Sequence, residues 1–149
     1  MFNSEARRAI EAVADTIHVP RDALLAVVDV ESNNVVFTQI GGRALPLIRW
    51  EGHYFDRLVP AEKREQARKA GLAASKAGKI KNGTQAQRYA MLERAMKIDA
   101  EAAISSASWG VGQVMGAHWE VLGYKSAEEF MRVAKSGLAG QVQIMAAYI

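Results

Sequence analysis

Ser108-Trp109-Gly110-Val111-Gly112-Gln113-Val114-Met115-Gly116 alternates small residues with one fixed amide and one large aromatic. Glycines at 110, 112 and 116 let main-chain N–H and C=O groups come within hydrogen-bonding range of a ligand that side chains would hold off. Gln113 brings a donor and an acceptor together. The face of Trp109 suits the apolar C–H face of a sugar ring, and the amides suit its hydroxyl and acetamido groups. The run therefore reads as a sugar-binding wall, against the plainer reading of a glycine-rich connection between two helices.

Upstream, Asp22-Ala23-Leu24-Leu25-Ala26-Val27-Val28-Asp29-Val30-Glu31-Ser32-Asn33-Asn34 runs an apolar helix into a polar turn, with Glu31 where the helix stops. A rigid element then holds a carboxylate toward the loop side, and apolar neighbours would disfavour its charged form. A general acid for glycoside cleavage needs both. The plainer reading is a solvated helix-end glutamate. Its charge there opposes the helix dipole, which points to a functional reason for the placement. Asp29, two residues earlier, points about 200° away around the helix and is a poor partner.

The remaining chain predicts a mainly helical α+β fold with one small β-hairpin beside the cleft. Ser4 to Ile17 reads as a first helix, with apolar Ala6, Ala9, Ile10, Val13 and Ile17, and Pro20 opens the second. Val35 to Ile40 is β-rich, Gly41-Gly42 is a turn signal, and Leu45 to Trp50 is the expected partner strand. That strand would place Trp50 in the core and deliver Glu51 and His53 close to Glu31. Ala61 to Ala77 reads as a charged helix, and Gly78 to Gly83 as a loop. Thr84 with Gln87 forms a capping-box pattern, opening a helix through Tyr89, Leu92 and Met96, with Tyr89 either in the core or lining the cleft. Asp99 caps a helix to about Ser106, and Ser126 with Glu129 opens another. The last helix, Gly137 to Ile149, carries the apolar stripe Leu138, Val142, Met145 and Ile149.

The 149 residues fit one domain, 1–149, with no repeat or linker. Half of them are hydrophobic, yet no apolar run approaches the roughly 20 residues of a membrane span. The start, Met1 to Arg8, lacks the apolar core of a secretory signal, so export would need another route. Cysteine is absent and the three histidines are scattered, so disulfides and thiolate chemistry are excluded and neither a metal site nor a cofactor is predicted. The net charge of +3 hides an asymmetry: residues 63–97 hold ten Lys or Arg against Glu65 and Glu93, 10 − 2 = +8, leaving −5 elsewhere. Such a segment attracts anionic polymers, though a solvated face is its plainest reading. It lacks the interleaved aromatics of a nucleic-acid surface, so no nucleic-acid partner is predicted.

Glu31-Ser32 followed by Ser108-Trp109-Gly110-Val111-Gly112-Gln113-Val114-Met115 resembles the lysozyme-like superfamily, in which a helix-ending Glu-Ser pair faces a Ser-x-Gly-hydrophobic-x-Gln-hydrophobic-Met segment. The stretch Ile40-Gly41-Gly42-Arg43 to Trp50-Glu51-Gly52-His53-Tyr54-Phe55-Asp56-Arg57-Leu58 is similar, more narrowly, to the N-acetylmuramidase domain of phage endolysins, with Trp50 where that family more often has phenylalanine. The resemblance implies cleavage of bacterial peptidoglycan glycan strands, with Glu31 as catalytic acid. Glu51 is the candidate second carboxylate, positioning water or stabilising an oxocarbenium-like transition state. Ser108, Trp109, Gly110, Gly112, Gln113 and Met115 would bind the sugar, with Gln113 on its acetamido group, Trp109 as platform or cleft floor, and Tyr89 and His53 as lining and ordering residues. The chain ends before a Tyr-Asn-Gly-containing segment usual in that family. Part of the last helix's stripe is then expected to lie open, lowering activity or driving self-association. Two alternatives stand beside the muramidase: a lytic transglycosylase, which needs only Glu31, and a wall-binding domain that has lost turnover.

Overall fold

The structure is a computed structural model that describes residues 2–32 and 35–148. The chain forms two compact units, Met1–Leu47 with Trp109–Val114 and Arg132–Ile149, and Ile48–Ser108 with Met115–Met131. Each unit is thus built from separate stretches of sequence.

In the first unit, α1 (Ser4–Ile17) begins at Asn3, whose side chain accepts the Ala6 N–H at 2.8 Å, and stops at His18 with φ 60°. Pro20 precedes α2 (Arg21–Ser32), and Arg21 grips Asp15 through two bonds of 2.9 and 2.7 Å, tying the end of α1 to the start of α2. Ile10 and Ala14 of α1, Leu24 and Val28 of α2, and Val111 form one core with Leu138, Val142 and Met145 of the last helix, α8 (Leu138–Tyr148). The expectation of an open stripe is corrected at these positions, because α8 packs along α1 and Leu138, Val142 and Met145 are 7%, 0% and 3% exposed. Ile149 lies outside the described residues.

Strands β1 (Phe37–Ile40) and β2 (Arg43–Pro46) form the expected antiparallel hairpin. Gly41 and Gly42 have φ 57° and 78°, the double left-handed turn that a two-residue hairpin loop requires. That turn sets Arg43 opposite Ile40 and Pro46 opposite Phe37, so the partner strand starts and ends earlier than the predicted Leu45 to Trp50. Ile48–Trp50 instead becomes a separate strand, β3, in the second unit.

The second unit continues with α3 (Gly52–Leu58), α4 (Ala61–Lys69), α5 (Gln85–Ile98) and α6 (Ala100–Ser105). Strands β4 (Ala107–Trp109) and β5 (Val114–Met115) extend β3 into a sheet of order β3-β4-β5, so the glycine-rich run is partly strand. A 3-10 turn (Gly116–His118) follows, and α7 (Ala127–Lys135) begins in this unit. Trp50 is 1% exposed, as expected of a core residue, meets Phe55 edge-on at 5.3 Å, and donates its indole N–H to the Leu72 carbonyl at 2.9 Å. The helix predicted to reach Ala77 ends at Lys69, because Gly71 turns left-handed (φ 76°) and swings Leu72 to complete burial. The Gly71 N–H to Arg68 carbonyl bond and the Leu72 N–H to Ala67 carbonyl bond, 3.0 and 3.1 Å, make this a Schellman stop. Between α3 and α4, Arg68 forks onto the buried Asp56 at 2.6 and 2.9 Å, and that guanidinium holds the Asp56 carboxyl below its ordinary range.

The predicted caps are present. Thr84 and Gln87 close a capping box at α5, and Asp99 accepts the Ala102 N–H at 3.0 Å. Ser126 accepts the Glu129 N–H at 3.0 Å, while Glu129 reaches back to the N–H of Lys125 rather than to that of Ser126.

Candidate active site

Glu31 stands exposed in the last turn of α2, and Ser32 beside it is 8% exposed. Leu24 and Val28, the buried residues of that helix, fix it in the first unit's core, so the carboxylate rides on a rigid element. The apolar surround expected from its neighbours in sequence is not present, since Val27 and Val30 are themselves 38% and 76% exposed. Glu31 makes no ion pair with a described residue.

The run from Ser108 to Gly116 is built differently from the sequence expectation. Ser108 and Trp109 are 5% and 1% exposed, so Trp109 offers no face to a sugar ring and serves as packing. The glycines answer to protein neighbours rather than to a ligand. Gly110 takes φ 72° against the Gln141 side chain, a Cβ on Gly112 would strike the Met145 side chain, and one on Gly116 would strike the Ile104 carbonyl. Gln141, 2% exposed, accepts the Val111 N–H at 3.0 Å and donates to the Val36 carbonyl at 3.3 Å, locking this loop to the strand side of the unit.

Gln113 is exposed and holds a left-handed φ of 46°, a conformation that costs a non-glycine residue energy. Its Nε2 donates to the carbonyls of Leu47 and Gly110 at 3.2 and 2.9 Å, and its own N–H reaches the Gly110 carbonyl at 3.0 Å. The side-chain amide expected to hold a ligand thus also closes its own loop. Gly112 and Met115 are only part-buried and stay near the surface.

In the second unit, Glu51 lies between β3 and α3 with its side chain 21% exposed. Arg49 donates to its Oε1 at 2.9 Å, and the Nδ1 atom of His53 lies 3.6 Å from its Oε2. That Nδ1 is buried without a hydrogen-bond partner among the described residues, while the His53 ring meets Tyr54 edge-on at 5.0 Å. Arg49, Glu51 and His53 therefore form one cluster around the Glu51 carboxylate. Tyr89 is 3% exposed inside α5, which makes it a core residue rather than a lining one.

Sequence reasoning missed what holds that cluster in place. Asn82 accepts the Trp50 N–H at 2.7 Å and donates to the Trp50 carbonyl at 3.0 Å, and Gln85 repeats this on Ile48 at 3.0 and 3.1 Å. Two side-chain amides thus stand in for a neighbouring strand on β3. Arg88 adds a bond of 2.9 Å to the Ile48 carbonyl, and burial, with Arg49 nearby, lowers its pKa from the ordinary value. Partners 32 and 37 residues distant leave no local signal; only the amide side chains at the loop's end hint at them. Among the described residues no acidic or histidine cluster suits a metal ion.

The sequence profile of the N-acetylmuramidase family matches residues 20–149, most of the chain. The chain belongs to the N-acetylmuramidase family. Among solved structures it is similar to the endolysin of Burkholderia phage AP3, with 31% identity and a TM-score of 0.79 over 95% of this chain. The match spans 53% of that endolysin, so this chain corresponds to about half its length. No curated protein matches. Membership in this family makes the fold class lysozyme-like.

Proposed function

We propose that the chain hydrolyses the glycan strand of bacterial peptidoglycan at the bond after N-acetylmuramic acid, with Glu31 protonating the leaving oxygen. One observation carries this reading: in a chain of the N-acetylmuramidase family, a carboxylate with no cationic partner among the described residues stands exposed at the end of a core-anchored helix. An acid must reach solvent and substrate while its backbone stays fixed, and α2 supplies both. Glu51 is the second carboxylate. Its pairing with Arg49 suits a group that stays anionic to stabilise positive charge on the sugar or to orient water. The side-chain amide of Gln113, exposed on its loop, holds the acetamido group.

The same pairing is what favours the second reading. A Glu51 engaged by Arg49 and flanked by His53 is less free to direct water, and a lytic transglycosylase needs only Glu31. The site of action is the cell wall, and no described helix is long and apolar enough to cross a membrane. Mass spectrometry of purified peptidoglycan after digestion tests the reading: hydrolysis leaves muramic acid with a free reducing end, transglycosylation leaves the anhydro form. Reducing-end products are expected. Anhydro products alone, or intact strands, overturn the hydrolase.

A further inference from the structure

The third tryptophan differs from the other two. Trp50 and Trp109 are each 1% exposed, whereas Trp119 is part-exposed and lines a cavity of about 260 Å³ with Leu58, Glu101, Ser105, Ala117 and Glu120. All six residues lie in the second unit. Glu101 and Ser105 are one helical turn apart on α6, which puts their side chains on one face. Ser105 is 5% exposed, lines the cavity, and its hydroxyl has no hydrogen-bond partner among the described residues. That hydroxyl reaches the cavity and offers whatever enters it one donor and one acceptor. Glu101 and Glu120 are exposed and neither pairs with a described cation, although the same unit carries the basic segment 63–97.

An indole, a hydroxyl and two unpaired carboxylates around one cavity match a particular ligand group. A protonated primary amine sits favourably over an indole face, and its three N–H donors find the carboxylates and the hydroxyl oxygen as acceptors. A neutral sugar hydroxyl would leave both carboxylates without a counter-charge. We propose that this cavity binds a protonated primary amine of the wall polymer, the class that includes the side-chain amine of a diamino acid in the peptide branch and the amine of a deacetylated amino sugar. The source of the amine rests on the muramidase reading, and the cavity's chemistry does not. Helix α3 starts beside Glu51 and ends at Leu58 on the cavity wall, seven residues on or about 10 Å, a distance that a peptide side branch spans.

The test follows the indole N–H resonances of the ¹⁵N-labelled chain at low salt, with Trp119 assigned through Trp119→Phe. Nα-acetyl-L-lysine amide and D-glucosamine are titrated in, with their N-acetylated, uncharged counterparts as controls. At least one amine is expected to move the Trp119 signal while those of Trp50 and Trp109 stay, and the amine that does so identifies the source. The double variant Glu101→Gln with Glu120→Gln, at exposed positions, is expected to keep all three signals dispersed and to weaken binding roughly tenfold. No movement with either amine, or equal movement with the acetylated controls, overturns the proposal. Sacculus cleavage by the same sample separates the two readings: amine binding without cleavage refutes the muramidase, and cleavage without amine binding refutes the cavity.

Discussion

Gln113 concentrates the tension of the site in one residue. Its left-handed backbone costs about 1–2 kcal/mol, and two side-chain bonds, to Leu47 and Gly110, offset that cost at about 1 kcal/mol each. A residue held this way keeps its loop rigid, and rigidity is what a ligand-orienting amide requires. Gln113→Ala keeps the backbone conformation and loses both bonds, whereas Gln113→Gly loses the bonds and relieves the backbone. The glycine variant is expected to be the more stable by roughly 1 kcal/mol in urea denaturation, with both variants slower on sacculi. Equal stability of the two would show that the left-handed turn is not strained.

At the scale of elements, β3 is the piece on which the second unit's cluster around Glu51 depends, and its outer edge is closed by amides rather than by a strand. Removing Asn82 leaves the Trp50 N–H and carbonyl without those partners in a part-buried place. Asn82→Ala is therefore expected to cost about 2 kcal/mol and to lower Tm by several degrees in calorimetry. An unchanged Tm would show that water replaces the amide without loss. The same element shows where sequence reading stops. Helix α5 and the caps at Thr84 and Asp99 were legible because a cap acts across three residues, and so was the Gly41-Gly42 turn. The end of α4 was not, because burial of Leu72 overrides a helical charge pattern that continues past it. Glu31 and its helix were legible as a candidate acid. Trp109 and the three glycines were read toward a ligand, yet Gln141, Met145 and Ile104, far along the chain, are what their spacing serves.

Across the whole molecule the charge is segregated in sequence, +8 in residues 63–97 against −5 elsewhere. If that segment draws the chain to an anionic wall, cosedimentation with sacculi should fall as salt rises, because the Debye length shrinks from about 10 Å at 0.1 M to about 3 Å at 1 M. Salt-independent sedimentation would assign wall association to uncharged contacts. The proposed catalysis rests on Glu31, where exposure, the absence of a cationic partner among the described residues and family membership meet. Glu31→Gln removes one proton donor with almost no change in volume, so fold and wall binding should persist. The decisive measurement is the rate at which new reducing ends appear when parent and Glu31→Gln proteins digest purified sacculi. A loss of at least about 100-fold, with cosedimentation unchanged, is expected of a general acid; release at the parental rate would contradict that role.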